Sequence, residues 1–166
     1  DSYAFPRPPF MAYVEVNKEN NIVFDFTLFV LHLKAFGGED NEARRRDACV
    51  KLKSYIDTNL LPSQDKDVII LGDLNDELDD PAQDNVFQVF LDDSLNYLFL
   101  SYNLLGQSSY PGSYSLIDHI LITNDALFEY GNGKTAILDL DHQFAQYSTY
   151  VSDHRPVLSQ FHILGN

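Results

Sequence analysis

Apolar and polar positions along this chain follow two periods, one of strands and one of a single long helix. The opening segment carries Pro6, Pro8 and Pro9 and predicts extended loop. Phe10–Val16 then reads as a strand and Asn17–Asn21 as a polar turn. Ile22–Leu33 is a long β-rich run. Phe24, Phe26, Leu28 and Val30 share one face with His32, while Phe29 and Leu31 make the second half apolar on both sides. Such a strand belongs in the interior of a layered fold. Gly37 and Gly38 break it, and Asp40 or Asn41 can cap a helix running to about Leu60. Ala48, Leu52, Ile56 and Leu60 give that helix an apolar stripe, and Pro62 ends it. Val68–Leu71 predicts a short buried strand ending at Gly72, and Asn85–Leu91 a short helix. Tyr97–Leu100, Leu116–Ile122 and Val157–Ile163 predict further strands, with Gly106–Ser113 as loop. The order predicts a mixed sheet with helices outside, an α/β (α+β) class.

Composition narrows this picture. A chain of 166 residues with 45% hydrophobic content can bury one sizeable core, so residues 1–166 are expected to form a single domain. The longest apolar stretches, Phe26–Leu31 and Val68–Leu71, are far too short to span a bilayer. Cys49 is the only cysteine, which excludes an internal disulfide and a Cys-rich zinc site. The net charge of −14 comes from 25 acidic against 11 basic residues and argues against a broad basic face that tracks nucleic-acid phosphates. It fits a solvated acidic surface, or carboxylates converging on a divalent cation. Arg44, Arg45 and Arg46 form the one basic cluster; on a helix they splay around the axis and read as a solvated face.

Four segments place polar groups at the ends of apolar strands, where ligands collect in layered α/β folds. His32 in His32-Leu33-Lys34 ends a strand of large hydrophobes; alone it reads as a hydrogen-bonded core histidine. Gly72-Asp73-Leu74-Asn75 follows a short apolar strand directly. The glycine permits a tight turn, Asp73 could orient or deprotonate a water, and Asn75 could donate to a phosphoryl oxygen; a plain Asp-Asn turn is the competing reading. The acids that follow, Asp76, Glu77, Asp79 and Asp80, lack the glycine and closing glutamate of a calcium loop and read as solvated. Asp118 shares its strand face with Leu116, Ile120 and Ile122, so it needs a partner, for which an imidazole is the natural candidate. His119 points to the other side and reads as structural. In Ser152-Asp153-His154-Arg155-Pro156 the adjacent Asp153 and His154 project in opposite directions on extended backbone. If Asp118 accepts from one nitrogen of His154, the other nitrogen is held towards substrate.

His32 in HLK, Asp73 and Asn75 in GDLN, Asp118 in SLIDHI, and Asp153 and His154 in SDHRP resemble, in order and type, the endonuclease/exonuclease/phosphatase superfamily. That superfamily includes deoxyribonuclease I, abasic-site endonucleases, sphingomyelinases, inositol polyphosphate phosphatases and deadenylases. The likeness runs from about Arg7 to His162, and GDLN resembles the usual GDFN with Leu74 in place of phenylalanine. The resemblance implies a four-layer α/β/β/α sandwich of two packed mixed sheets with the site at one edge. It implies a phosphodiesterase or nuclease-like hydrolase acting by in-line attack of water, with Mg2+ or Mn2+ as cofactor. Carried over by position, Asp73 would align or activate the nucleophile, and Asn75 and His32 would contact the phosphate. Asp118 would orient His154, and His154 would stabilise the transition state or act as a base. Asp153 would sit at or near the metal. The substrate would be a nucleic acid or a small phosphodiester.

The family pattern also begins with a strand carrying an asparagine and a later strand carrying a metal-binding glutamate. Neither has a counterpart here, and Glu15 lies in the wrong place for that glutamate. The expectation is an incomplete domain lacking its N-terminal strands, completed by a missing N-terminal segment or a second chain. Alone, these residues should bind metal poorly, turn over little, and expose apolar surface or a sheet edge. The alternative is a catalytically inactive binding or scaffold domain that keeps the fold.

Overall fold

The computed structural model describes residues 1–62 and 66–162. Strands β1 (Phe10–Lys18) and β2 (Asn21–His32) form an antiparallel hairpin. Glu19 and Asn20 turn it with φ of 51° and 67°, the left-handed pair that matches strand twist. Helix α1 (Glu39–Asn59) carries the chain across to β3 (Val68–Asp73), which lies parallel to β2. There follow α2 (Gln88–Leu91), β4 (Tyr97–Phe99), a 3-10 turn at Leu100–Leu104, and β5 (Asp118–Thr123). The last part holds α3 (Leu127–Tyr130), β6 (Lys134–Ile137), α4 (Leu140–Gln143), α5 (Tyr147–Tyr150) and β7 (Val157–Gln160). Five strands make a mixed sheet in the order β1-β2-β3-β5-β4, and β6 and β7 pair separately. The fold is thus the expected α+β type in partial form.

Strand alternation sorts the core onto two faces. Val68, Ile70, Phe29, Leu31 and Leu121 join Ala48, Leu52 and Ile56 of α1 in one cluster. Ile69, Ile120, Ile122 and Phe24 face the other way, with Leu71, Val157 and Phe161 partly buried against them. Between this second face and β7 lies an open apolar groove of about 370 Å³, lined by Phe24, Phe26, Leu28 and Ile120 among others. Leu158 of the small sheet is half exposed at its rim.

The local differences from expectation have physical causes. Helix α1 starts at Glu39, ahead of Asp40 and Asn41, because Gly38 serves as its cap and its N–H donates to Glu42 Oε1 at 3.2 Å. Arg45 is not part of a solvated face: it is buried on the inner side of α1 beside Ala48 and Cys49. Burial also pushes the Cys49 thiol up to about 12, leaving it inert. The elements between Leu127 and Tyr150 had no sequence signal, since each is only four residues long. The predicted last strand is observed as far as Gln160, and Ile163 lies outside the described residues.

Candidate active site

Sheet register alone brings three of the polar positions together. His32 pairs with Asp73 across the parallel β2–β3 ladder, and Asp73 pairs with Asp118 across the antiparallel β3–β5 ladder. Directly paired residues share a face, so one imidazole and two carboxylates line up at one edge of the sheet. The approach is close: Gly72 has φ of 138°, and a Cβ there would sit 2.0 Å from the carbonyl oxygen of Leu31. Only glycine lets β3 run this near to β2 just before Asp73.

The residues after Asp73 form the anticipated turn, and the turn itself orients the site. Asn75 adopts φ of 56°, a region asparagine tolerates, and its N–H donates to Asp73 Oδ1 at 3.0 Å. Its side-chain Nδ2 donates to Leu33 O at 3.3 Å, leaving a second amide hydrogen free. Leu74 is buried and fixes the loop through its N–H, which donates to Ile117 O at 2.8 Å.

The loop before β7 supplies the remaining groups. His154 Nδ1 lies 2.7 Å from Asp118 Oδ2, and its Nε2 turns towards Asp73 Oδ2 at 4.0 Å. His32 Nε2 approaches the same Asp73 oxygen at 3.3 Å. Because the Asp118 carboxylate only accepts, Nδ1 carries hydrogen in this pair. Burial by itself would lower the His154 pKa, but the hydrogen bond and charge of Asp118, with the charges of Asp73 and Asp153, outweigh it and raise the value. The Asp73 carboxyl is raised too, first by burial and then by the negative charge of Asp118, against the pull of His32 and His154. Asp153 is exposed and lines the same cavity of about 520 Å³ as His32, Asp73, Asn75 and His154.

His119, next to Asp118, points away as expected. Its Nε2 donates to Asp76 O at 2.9 Å and its Nδ1 accepts from Ser101 Oγ at 3.0 Å; burial lowers its pKa, so it is a neutral structural ring. Three further residues shape the site without having stood out in the sequence. Ser109 is fully buried, and its Oγ accepts the N–H groups of Ile117 and Asp118 at 3.1 Å, while its carbonyl accepts from Arg155 N at 2.7 Å. It therefore ties the start of β5 to the His154 loop. Tyr110 lies against the His154 ring at 4.8 Å between centroids. Arg155 makes two 2.8 Å hydrogen bonds to Asp141, which anchor the loop from its far side. A run of serines before a tyrosine gives no warning of this, because its partners are distant in sequence.

The model of the Endonuclease/Exonuclease/phosphatase family matches residues 17–146. The chain belongs to that family. Among solved structures, the human Nocturnin catalytic domain with bound sulfate anion superposes with a TM-score of 0.57 at 19% identity, covering 92% of this chain and 53% of that one. Mannosyl-6-phosphatase from Bacteroides thetaiotaomicron gives 0.54 at 18% identity, over 82% of this chain and 51% of its own. The Xenopus laevis APE2 catalytic domain gives 0.55 at 16% identity, over 92% and 54%. At such identities the likeness is one of fold. This endonuclease/exonuclease/phosphatase chain spans about half the length of each of the three. A comparison with curated proteins finds none that matches.

Proposed function

We propose that this chain carries much of the catalytic site of a divalent-metal-dependent phosphoester hydrolase, phosphodiesterase or nuclease-like, that acts by in-line attack of water. The observation that supports it best is the convergence of His32, Asp73, Asn75, Asp153 and His154 on one cavity, with His154 held by Asp118. In this reading Asp73 accepts the proton of the attacking water as the new P–O bond forms and the ester P–O bond opposite it breaks. His154, oriented by Asp118, donates from Nε2 to the charge that develops on the phosphoryl oxygens. The free amide hydrogen of Asn75 and the ring of His32 bind the phosphate.

The donor set facing the cavity, two carboxylates and a carboxamide, suits a hard cation such as Mg2+ or Mn2+. Asp153 is the group here that would hold it, across the cavity shared with Asp73. When bound, the cation supplies positive charge against the phosphate. Among the described residues, three ligand atoms also meet within 4.8 Å at Asp139, Asp141 and His142, but Asp141 there is already committed to Arg155. A guanidinium in that position leaves little call for a second cation. We take residues 1–166 as a single partial domain, completed by an upstream segment or a second chain that adds further ligands, so that the isolated piece binds metal weakly. No described helix is long and apolar enough to cross a membrane.

The test is hydrolysis of bis-p-nitrophenyl phosphate and of p-nitrophenyl phosphate, with Mg2+ or Mn2+, by the full-length natural protein and by its Asp73→Ala/His154→Ala variant. Metal-dependent turnover lost in the variant supports the reading. Absence of turnover across mono- and diesters would favour the inactive binding domain.

A further inference from the structure

Phe36 stands at the rim of the active-site cavity and is 79% exposed. Exposed aromatics occur elsewhere on this chain, Tyr114 and Tyr150 among them, so exposure alone decides nothing. What separates Phe36 is the effort spent in holding it there. Its φ is 73°, the left-handed region that a bulky aromatic rarely enters; Tyr114 shares that feature at 61°, so it is the pinning of the loop that sets Phe36 apart. Two glycines follow it directly, yet glycine is not used at the strained position itself. The loop is pinned at every step. One Nη1 of buried Arg45 donates to both Lys34 O and Phe36 O at 2.8 Å. Nε of Arg45 pairs with the buried Asp76 carboxylate at 2.7 Å. Asn41 Nδ2 donates to Gly37 O at 3.0 Å, and Gly38 N–H donates to Glu42.

The Arg45–Asp76 pair therefore joins the loop after His32 to the loop after Asp73, the two stretches that carry the phosphate-facing groups. A buried ion pair, a strained backbone and an exposed ring are each unfavourable alone. Together they hold one apolar face at the cavity mouth. Lys34 Nζ lies over one face of the ring, 5.3 Å from its centroid, so a stacking partner would take the opposite face. The cavity of about 520 Å³ is far larger than a phosphate group and leaves room for a ring against Phe36.

We propose that Phe36 is a substrate-contacting residue that stacks on a ring, nucleobase or sugar, attached to the phosphate held at His32 and Asn75. The acidic chain, with Lys34 at this rim, fits a mononucleotide-sized or sugar-sized ligand rather than a long polymer track. This rests on the hydrolase reading for the location of the phosphate, but its test does not need turnover.

The experiment measures equilibrium binding to the full-length natural protein, in Mg2+ buffer by NMR titration, of inorganic phosphate, ethyl phosphate, adenosine monophosphate and glucose 6-phosphate. Wild type is expected to bind one ring-bearing phosphate roughly 5- to 100-fold more tightly than ethyl phosphate, the span of one stacking contact. The adenosine and glucose arms tell which ring it is. Phe36→Ala and Phe36→Leu should lose that advantage, and Phe36→Tyr should keep it. Equal affinity of wild type for all ligands would overturn the proposal. So would a Phe36→Ala variant that weakens every ligand alike or that mainly lowers the melting temperature, which would place the ring in packing. Loss of metal-dependent hydrolysis as an activity, with the stacking advantage intact, would strike the hydrolase reading and leave this one standing.

Discussion

His154 Nδ1 and Asp118 Oδ2 lie 2.7 Å apart although 36 residues separate them in the chain. The pair fixes which imidazole nitrogen faces the cavity, and Asp118 is itself fixed by Ser109 Oγ. Asp118→Asn keeps the size and removes the charge, and its amide can present hydrogen to Nδ1 where an acceptor is needed. The expected result is a fall in kcat of roughly 10²–10⁴-fold with KM little changed, because ring orientation matters most in the transition state. Steady-state kinetics of the full-length protein check it; an unchanged kcat would remove His154 from the reaction.

How far the sequence disclosed this arrangement depended on whether the signal was local. Asp118 on an apolar strand face demanded a partner, and the outward turn of His119 followed from strand alternation; both are visible in a few neighbouring residues. The glycine before Asp73 was legible as a turn residue, but its reason, the Leu31 carbonyl in the space of a Cβ, is a contact between strands. Arg45 was misread because a helix face cannot be judged from three consecutive arginines. Only the fold shows that Asp76 and two loop carbonyls wait for it. Ser109 and Tyr110 were silent for the same reason, and the four-residue elements after Thr123 are too short to carry a period.

Gly72→Ala should be among the most damaging single-methyl changes in the chain. Its Cβ meets backbone that cannot move without parting β2 from β3, and φ of 138° adds strain. A loss of at least ~3 kcal/mol is expected in urea denaturation, with activity falling in step. Gly37→Ala, where no atom lies within 4 Å of the added Cβ, is the control and should stay within ~1 kcal/mol of wild type.

Asp80 gives a pH prediction away from the reacting groups. Its carboxyl is raised to about 6 by burial first, then by its hydrogen bond to Asp76 and the charges of Asp76, Glu77 and Asp79. The folded state thus holds this proton more tightly than the unfolded chain does. The stability it contributes is present below the unfolded value of 3.8 and is lost as pH rises through about 6. Asp80→Asn, which resembles the protonated form, should match wild type near pH 4. It should exceed it by about 1 kcal/mol at pH 7, allowing for solvent screening. Urea midpoints at the two pH values check this; a gain that is equal at both would contradict it.

The central claim is that water attacks phosphorus at a site built from Asp73 and His154. The measurement that tests it most directly is phosphorus NMR of the product when the full-length protein hydrolyses bis-p-nitrophenyl phosphate in ¹⁸O-labelled water with Mg2+ or Mn2+. The account predicts ¹⁸O in the phosphate product, dependent on added metal and absent with Asp73→Ala/His154→Ala. Label in the alcohol, or labelled phosphate formed equally well by the double variant, would contradict it.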